Sequence, residues 1–350
     1  MFETILKEFG INANASVKPF GSGLINNTWL ISENEDDFIL QRINHNIFKQ
    51  PFDIATNIQL ICDYLTAQHH GYLFIAPRKT IRGDEMIYIK DEGYFRIFPF
   101  IKNSHTTDVV VSPSQAYEAA KQFGRFTNLL SEFPVDKLKI TLPDFHNLPL
   151  RYAQFEKAIM EGNKERIKQS ALIISFLKDR HEIVSISEQI SNNPDFKKRV
   201  THHDSKISNV LFDENDQGLC VIDLDTVMPG YFISDFGDMM RTYLSPVSEE
   251  EKDLSKIEIR DDYFKAIADG YLNEMGNELS AVEKKCLVYA GKFMIYMQAL
   301  RFLTDHLKND IYYGANYEGH NFIRANNQAT LLKKIIEKEK LLQKLVGSKP

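Results

Sequence analysis

The local sequence pattern changes near residue 101, and this change limits the folds that the chain can adopt. Before it, apolar residues lie in short runs separated by glycine, asparagine and aspartate turns, a pattern typical of antiparallel strands. After it, apolar residues recur at helical spacing over long stretches. A strand-rich beginning followed by helices indicates the α+β class. We therefore predict a first lobe over residues 1–101 and a second lobe over 102–350.

The first lobe is predicted to be a five-stranded antiparallel sheet with one helix inserted after the third strand. The helix covers 53–68, where apolar residues follow helical spacing. The strands are predicted at 17–20, 28–31 and 37–43, in a hairpin pattern over 80–88, and at 94–101.

The second lobe is predicted to be helical apart from one stretch between residues 200 and 230. There, two apolar runs are joined by the turn 213–218, which predicts a β-hairpin made of 209–212 and 219–222. Ser112 followed by Pro113 is a typical helix start. The predicted helices cover about 112–132, 150–160, 164–191, 249–275 and 281–307, and the chain from about 326 onwards.

The clearest chemical signal lies directly before this hairpin, where the chain reads H-x-D-x-K-x-x-N from His202 to Asn209. A carboxylate on a loop can accept the proton of an attacking hydroxyl, which makes Asp204 the candidate base. Lys206 can place a positive charge on a transferring phosphoryl group. We therefore predict Asp204 and Lys206 as catalytic residues, and His202 as a residue that stabilises the loop by hydrogen bonding.

The hairpin returns a second set of oxygens beside this loop. Asn209 offers a neutral oxygen and Asp223 a charged one, and Mg²⁺ prefers one or two such carboxylates together with phosphate oxygens. We predict both residues as metal ligands, and we leave Asp225 open between a second ligand and a contact to the loop. The sequence Asp-Phe-Gly at 235–237 lies beyond the hairpin, so Asp235 is predicted to be a buried anchor or a helix cap.

With these motifs in place, the chain resembles the protein-kinase-like fold, in the branch of the aminoglycoside and choline kinases. More specific segments resemble the N-acetylhexosamine 1-kinases, and this similarity runs from about residue 15 to 330. The segments are 21–28, 39–41, 222–230, 235–238, 301–303 and 310–312.

The resemblance implies a bilobal ATP-dependent kinase. It would phosphorylate the 1-hydroxyl of N-acetylglucosamine or N-acetylgalactosamine to the α-1-phosphate. By the same resemblance Asp204 is the base, Asn209 and Asp223 hold Mg²⁺, and Arg301 and Tyr312 contact the sugar.

The predicted nucleotide side departs from the protein-kinase pattern at the third strand. A lysine there normally pairs with phosphates and with a glutamate on the next helix, whereas Gln41 and Gln59 stand in those places here. The resembled kinases also have glutamine at the strand position. We predict that Gln41 donates to a phosphate and that Gln59 orients it.

The glycine loop and the end of the last strand complete the predicted nucleotide site. The loop reads G-x-G-x-x-N at Gly21, Gly23 and Asn26, and its backbone amides are predicted to cover the phosphates. An ordinary hairpin turn is the alternative. The segment 99–101 is predicted to be the hinge that reads adenine, with Phe100 beside the ring.

Two explanations remain for the residues assigned to the sugar. Arg301 lies near the end of a long apolar helix, where it either forms an ion pair with Asp305 or aims its donors at sugar hydroxyls. Tyr312, with Tyr313 and Tyr317, either forms a stacking wall for a sugar ring or fills a loop.

Composition narrows the possible partners. The 350 residues include 42 Lys and Arg against 48 Asp and Glu, a formal net charge of −6, so neither nucleic acid nor an anionic membrane is an expected partner. No stretch resembles a signal peptide or a membrane span, and the three separated cysteines indicate free thiols, so we expect a cytoplasmic protein.

Two alternatives to the N-acetylhexosamine kinase remain. One is the same fold with another hydroxyl acceptor (a hexose, homoserine, choline or an aminoglycoside), and the other is an inactive nucleotide-binding protein.

Overall fold

An antiparallel sheet begins the fold in the computed structural model, which describes residues 2–21 and 25–347. The bounds are β1 Ser16–Pro19, β2 Asn27–Glu33, β3 Asp36–Ile43, β4 Ile87–Ile89 and β5 Gly93–Pro99, with α1 at Phe2–Glu8 and α2 at Pro51–Gln68. Within the described ranges the sheet has five strands in the order β1-β2-β3-β5-β4. The predicted sheet and its inserted helix, α2, are therefore confirmed.

The two faces of this sheet serve different purposes. Leu40 on β3 and Ile97 on β5 are paired across the strands and fully buried in a small core with α1. Because successive side chains on a strand point to opposite faces, the next pair, Gln41 and Arg96, lies on the other face. That second face is turned towards the remainder of the chain.

The segment before β4 is a turn and not the strand arm that the sequence predicts. The hydroxyl of Thr80 accepts hydrogen bonds from the backbone amides of Arg82 (3.2 Å) and Asp84 (3.0 Å). Gly83 has a φ of +94°, which favours glycine. Side-chain bonds to the backbone of this kind close turns and compete with strand pairing, so within the segment 80–89 only Ile87–Ile89 pairs with β5.

Most of the chain after the sheet is helical, as predicted. The side chain of Ser112 caps α3 by accepting from the Gln115 amide at 3.1 Å. Nowhere in 2–21 and 25–347 is a helix both long enough and apolar enough to cross a bilayer. The helices are α3 Pro113–Leu129, α4 Leu148–Glu161, α5 Lys164–Gln169, α6 Ala171–Lys178, α7 Glu182–Asn192, α8 Phe232–Tyr243, α9 Asp261–Met275, α10 Ala281–Lys285, α11 Leu287–Leu307 and α12 His320–Gly347.

The helix predicted over 164–191 is divided into α5, α6 and α7. Asn163 caps α5 by accepting from two backbone amides, and Ser170 is the residue at which α5 ends and α6 begins. A second break follows at 179–181. The breaks let α5 and α7 contact α11 while α6 contacts α12, which one straight helix could not do.

Two other helices differ from their predicted bounds. In the range 249–275 only α9 is α-helical. Arg260, the residue before α9, donates to the carbonyl oxygens of Tyr243 (2.7 Å) and Ser245 (3.2 Å), and these bonds keep the chain directly before α9 extended. The last helix begins at His320 and not at 326.

The short strands of the second part bring two connecting segments together. β7 Arg199–Thr201 pairs with β10 Met228–Gly230, and β8 Val210–Asp213 pairs with β9 Gly218–Val221 to form the predicted hairpin, with β6 Ser104–His105 beside β8. The loop from β7 to β8 contains residues 202–209, and the segment from β9 to β10 contains 222–227. These two segments therefore run side by side.

Helix α2 ties the sheet to these segments. Its residues Ile54 and Ile58 belong to the large apolar core of the helical part. The fully buried side chain of Asn57 donates to the carbonyl oxygens of Lys139 (2.9 Å) and Val227 (3.0 Å). The second face of the sheet is thereby held next to the segment 222–227.

Candidate active site

The loop from β7 to β8 is anchored by Asp235 in the first turn of α8. Its two carboxylate oxygens accept hydrogen bonds from the backbone amides of His202 (2.9 Å) and His203 (2.7 Å), and the side chain is buried. His203 has a φ of +66°, a conformation that a non-glycine residue keeps only where its surroundings enforce it. The prediction that Asp235 is a buried anchor is confirmed.

His202 stabilises the same loop from inside, as predicted. It is fully buried, with its ring edge-on to Phe123 at 5.1 Å between centroids. Its Nδ1 accepts from the backbone amide of Asp204 (3.3 Å), so Nε2 carries the proton and donates to the carbonyl oxygen of Ile222 (2.9 Å). His202 thus links the loop to the segment that carries the second set of predicted ligands.

Asp204, Lys206 and Asn209 lie together at the open side of this loop. The Asn209 side-chain amide donates to Oδ2 of Asp204 at 3.0 Å and to its carbonyl oxygen at 2.8 Å. Nζ of Lys206 lies 3.0 Å from the same Oδ2. Burial lowers the pKa of Lys206, but Asp204 and then Asp223 outweigh it and raise that pKa above its ordinary value. Lys206 is therefore a stable cation beside the candidate base.

Asp223 stands across from this group at the start of the neighbouring segment. Its backbone is left-handed, with a φ of +59°. The protein packed around its carboxyl group raises its pKa to about 6, and the carboxylates of Asp225 and Asp204 add to this rise, while Lys206 and Arg96 oppose it. Several acidic groups thus share one small space, which leaves an excess of negative charge.

The chemistry of this donor set fits a divalent cation. Asn209 uses its amide nitrogen on Asp204, which leaves its oxygen for another partner, and Asp223 supplies a carboxylate. In the part of the chain that the structure describes, no three His, Cys, Asp or Glu side chains form a complete metal cage. That is the arrangement expected where phosphate oxygens and water supply the other ligands.

Asp225, which the sequence leaves open, contacts the sheet. Its side chain is 2% exposed, and Oδ1 lies 2.5 Å from Nη2 of Arg96 on β5. Oδ2 accepts from the side-chain amide of Asn26, in the glycine loop, at 2.8 Å. Asn26 in turn accepts from the backbone amide of Asn44 at 3.0 Å. One carboxylate therefore forms an ion pair with Arg96 and accepts a hydrogen bond from Asn26, both in the first part of the chain.

Gln41 lies at this contact, but Gln59 does not. Oε1 of Gln41 accepts from Nε (3.1 Å) and Nη2 (2.8 Å) of Arg96. Gln59 donates to Asp63 at 2.6 Å on the exposed side of α2. The predicted orientation of Gln41 by Gln59 is wrong, because α2 turns Ile58 into the core and directs the next residue outwards.

The beginning of the glycine loop lies near the end of the sheet. Gly21 has a φ of +76°, which favours glycine, and Gly23 lies outside the described residues. The rings of Phe20 and Phe100 meet edge to face with centroids 6.1 Å apart. The Phe100 amide donates to the carbonyl oxygen of Asp37 at 3.1 Å, so the predicted hinge is still paired with β3.

A cavity of about 220 Å³ lies between α4, α11 and the turn that follows α11. Both residues predicted to contact a sugar, Arg301 and Tyr312, are in its wall. Of the lining side chains, three are cationic and one is acidic. The complete lining is Arg151, Gln154, Arg301, Thr304, Asp305, Lys308, Tyr312 and Tyr313.

The alternative ion pair between Arg301 and Asp305 does not form. The oxygens of Asp305 accept from the backbone amides of Tyr312 (2.7 Å) and Tyr313 (2.9 Å). The guanidinium of Arg301 donates to Gln298 at 3.3 Å and lies 5.9 Å and 5.4 Å from the ring centres of Tyr312 and Tyr313. Arg301 therefore keeps donors for a molecule in the cavity.

Aromatic side chains connect this cavity to the catalytic loop. Arg301 lies 5.6 Å from the ring centre of Phe145, which stacks on His146 at 4.4 Å, and His146 lies 5.2 Å from the ring of His203. Burial lowers the pKa of His146 well below its usual range, and the nearby His203 and Arg301 lower it further, so this ring is neutral at neutral pH. Phe145 and His146 belong to no motif, and sequence reasoning missed them.

Arg96 is the other candidate that sequence reasoning missed. It is the only charged residue between Tyr94 and Phe100 in an otherwise apolar strand. An isolated charge in such a strand needs a buried partner, and this was the available signal.

Several solved structures with a similar fold are kinases. The microcompartment-associated aminopropanol kinase has a TM-score of 0.64 at 17% identity, with 97% of each chain covered. A choline kinase from Cryptosporidium parvum Iowa II has a TM-score of 0.57 at 15% identity, with 98% of this chain and 96% of that chain covered. An amicoumacin kinase in complex with AMP-PNP and Ca²⁺ gives 0.62 at 14% identity, over 91% and 88% of the two chains. These likenesses confirm the predicted kinase-like α+β fold.

The chain belongs to the APH phosphotransferase enzyme family, which it matches over residues 16–272. The match contains the catalytic loop, Asp223 and Arg96. It ends before Arg301 and Tyr312, so most of the acceptor cavity lies outside it. Family membership therefore establishes phosphotransfer as the class of reaction and leaves the acceptor to be inferred from the cavity.

Proposed function

We propose that this protein is an ATP- and Mg²⁺-dependent sugar kinase that phosphorylates the 1-hydroxyl of N-acetylhexosamines. N-acetylglucosamine and N-acetylgalactosamine are the expected acceptors, and the α-1-phosphate is the expected product. Family membership supports phosphotransfer, and the sequence resemblance over 222–230 and 301–312 supports this acceptor. The observation that carries the choice of acceptor class is the charge of the cavity.

The cavity is unsuited to a cationic acceptor such as choline. An ammonium group needs free carboxylates or aromatic faces without a competing cation, but backbone amides bond both oxygens of Asp305 and the guanidinium of Arg301 already lies 5.9 Å and 5.4 Å from the centres of the two tyrosine rings. Arg151 and Lys308 add further positive charge. Hydroxyl and acetamide oxygens, by contrast, accept hydrogen bonds from guanidinium and ammonium groups. A neutral sugar with an N-acetyl group matches these donors.

The proposed binding of a nucleotide and a metal is based on the catalytic loop and the sheet, not on the acceptor cavity. Asn209 and Asp223 would hold Mg²⁺, and the bound ion would draw charge from the phosphate oxygens. The amicoumacin kinase, which was solved with AMP-PNP and Ca²⁺, supports the use of a nucleotide and a divalent cation by this fold. Gly21, Gly23, Asn26, Gln41 and Phe100 remain the proposed nucleotide contacts.

In the proposed reaction Asp204 accepts the proton of the sugar's 1-hydroxyl. The sugar oxygen forms a bond to the γ-phosphorus as the bond from that phosphorus to the β,γ-bridging oxygen breaks, and ADP leaves with the electron pair. Lys206 stabilises the charge on the transferring group. Asn209 fixes the orientation of the Asp204 carboxylate through its hydrogen bond of 3.0 Å.

The test is ADP release from ATP in the presence of single acceptors, with and without Mg²⁺. The panel contains both N-acetylhexosamines, glucose, galactose, homoserine, choline and an aminoglycoside, and ³¹P NMR identifies the phosphorylated position. We expect the highest kcat/KM with an N-acetylhexosamine and a 1-phosphate product. A higher kcat/KM with an amine acceptor would refute the argument from cavity charge. Nucleotide binding without ADP release for any acceptor would indicate an inactive nucleotide-binding protein.

A further inference from the structure

The third strand of the chain has a neutral residue where kinases usually have a lysine. In the kinase pattern this lysine stands on the third strand and pairs with the nucleotide's phosphates. Here the position is occupied by Gln41, which is neutral. If a triphosphate met only neutral groups on the side of the sheet, its negative charge would be poorly compensated there.

The sheet register supplies a cation at the same place from a different strand. Gln41 on β3 and Arg96 on β5 are direct cross-strand partners, so their side chains project from the same face. Nε and Nη2 of Arg96 both donate to Oε1 of Gln41. Gln41 itself therefore carries no charge, but it accepts hydrogen bonds from a cationic side chain on the neighbouring strand.

The guanidinium lies at the contact between the second face of the sheet and the segment 222–227. Its Nη2 lies 2.5 Å from Asp225, two residues after the candidate metal ligand Asp223. The Arg96 side chain is 1% exposed, and the central carbon of its guanidinium lies 4.9 Å from the ring centre of Phe98.

One donor of this guanidinium is unused. Nη1 of Arg96 is buried and has no hydrogen-bond partner among residues 2–21 and 25–347. A buried donor that lacks a partner is destabilising and calls for an explanation. An anionic ligand atom bound beside Asp223 would satisfy it.

We propose that Arg96 binds the nucleotide's phosphates in place of the strand-three lysine, and that Gln41 and Asp225 hold its guanidinium in position beforehand. The proposal rests on the proposed use of a nucleoside triphosphate, but it does not depend on which acceptor is phosphorylated. The planar fork of arginine suits this arrangement, because two of its nitrogens keep the protein contacts while the third faces the phosphate.

The experiment compares how the Arg96→Gln variant binds two ligands at equilibrium. Calorimetric titration with AMP-PNP and Mg²⁺ measures binding that includes the phosphates, and titration with adenosine measures binding without them. We expect the variant to bind AMP-PNP about 10- to 100-fold more weakly, as for loss of a charge-assisted hydrogen bond, and to bind adenosine as the wild type does. Unchanged AMP-PNP affinity, or equal losses for both ligands, would overturn the proposal.

Two further variants separate the charge from the fold. Arg42→Gln removes an arginine from the neighbouring position of the same sheet, on the opposite face, where it donates to Asn27. We expect it to leave both affinities unchanged. Gln41→Lys combined with Arg96→Gln returns a cation to strand three and is expected to restore most of the AMP-PNP affinity. A purely structural role for Arg96 predicts no such rescue.

If Arg96→Gln does not fold, Arg96→Gln with Asp225→Asn removes both charges of the buried pair and is used instead. Its titrations with AMP-PNP and adenosine are made in a chelator, so that metal ligation does not contribute. Selective loss of AMP-PNP binding supports the proposal, and equal or no loss refutes it. No acceptor is present in any titration, so failure of the N-acetylhexosamine assignment would leave these results interpretable.

Discussion

The two carboxylate oxygens of Asp204 have different surroundings. Lys206 and Asn209 both contact Oδ2, so this oxygen is held and partly neutralised. Within the described part of the chain, Oδ1 receives no hydrogen bond and remains available to a substrate hydroxyl. The carboxylate is therefore oriented by the protein before any acceptor binds, which is the requirement for general base catalysis.

Replacing Asp204 by Asn tests this role. The amide keeps the size of the side chain but cannot take up the proton, so we expect kcat to fall about 10²- to 10⁴-fold. Nucleotide affinity should be retained, because Asn209 and Asp223 are unchanged. Steady-state ADP release and AMP-PNP titration measure the two quantities. Asp216→Asn, at the exposed turn between β8 and β9, is the control, and near-normal turnover of Asp204→Asn would exclude Asp204 as the base.

Site residues that are close in the sequence can be predicted from it, whereas site residues that are far apart cannot. Asp204, Lys206 and Asn209 lie within one short loop, so spacing alone was enough to predict that they meet. Asn26 and Asp225 are 199 positions apart, and their contact depends on how the sheet packs on the helical part. Arg96 becomes visible only through the strand register that places it opposite Gln41. Motif spacing carries no information of that kind.

At the scale of secondary-structure elements, a buried ion pair joins β7 to α10. Glu283 accepts from Nη1 (2.6 Å) and Nη2 (3.0 Å) of Arg199 and also closes a capping box with Ser280 at the start of α10. The side chains of the pair are 5% and 0% exposed. Because β7 leads directly into the catalytic loop, this pair fixes the entry to the site.

We predict that Glu283→Gln destabilises the protein by about 3–5 kcal/mol, because it leaves the Arg199 charge buried without its partner. Urea unfolding followed by circular dichroism measures the free energy of unfolding. Lys265→Gln breaks an exposed helical pair with Asp269 and is expected to cost less than about 1 kcal/mol. Equal effects of the two substitutions would show that burial does not decide the energy of the Arg199–Glu283 pair.

Periodicity predicted most helices but not where they break. Apolar spacing continues through 164–191, yet the structure has turns at Ser170 and 179–181. Those turns exist because α5, α6 and α7 follow the surfaces of two different helices, α11 and α12. A pattern of single positions describes which face is apolar, whereas the break depends on the shape of the partner.

At the scale of the whole molecule, a chain of ion pairs crosses the helical part beneath the catalytic loop. Arg241 on α8 lies 2.8 Å from Asp238 and 2.7 Å from Glu249, and Glu249 also pairs with Arg324 on α12. Burial raises the pKa of Glu249, but Arg241 and Arg324 outweigh it and lower that pKa below its usual value. The ionised form of Glu249 is therefore the one that pairs with both α8 and α12.

This linkage makes the stabilisation pH-dependent in a defined direction. A carboxyl group whose pKa is lower in the folded state stabilises the protein above its unfolded pKa of about 4.3, and that contribution disappears as the pH falls through the folded value. We predict that Glu249→Gln lowers the free energy of unfolding by about 1.5–3 kcal/mol at pH 7, as for charge-assisted hydrogen bonds. The difference from the wild type should shrink as the pH falls below about 4.3. Urea unfolding across this pH range measures the difference in the free energy of unfolding.

The control is Glu161→Gln, which breaks an exposed pair with Lys157 and should differ little from the wild type at any pH. A Glu249→Gln deficit that stays constant into acid would show that the ionised carboxylate does not hold α8 and α12 together.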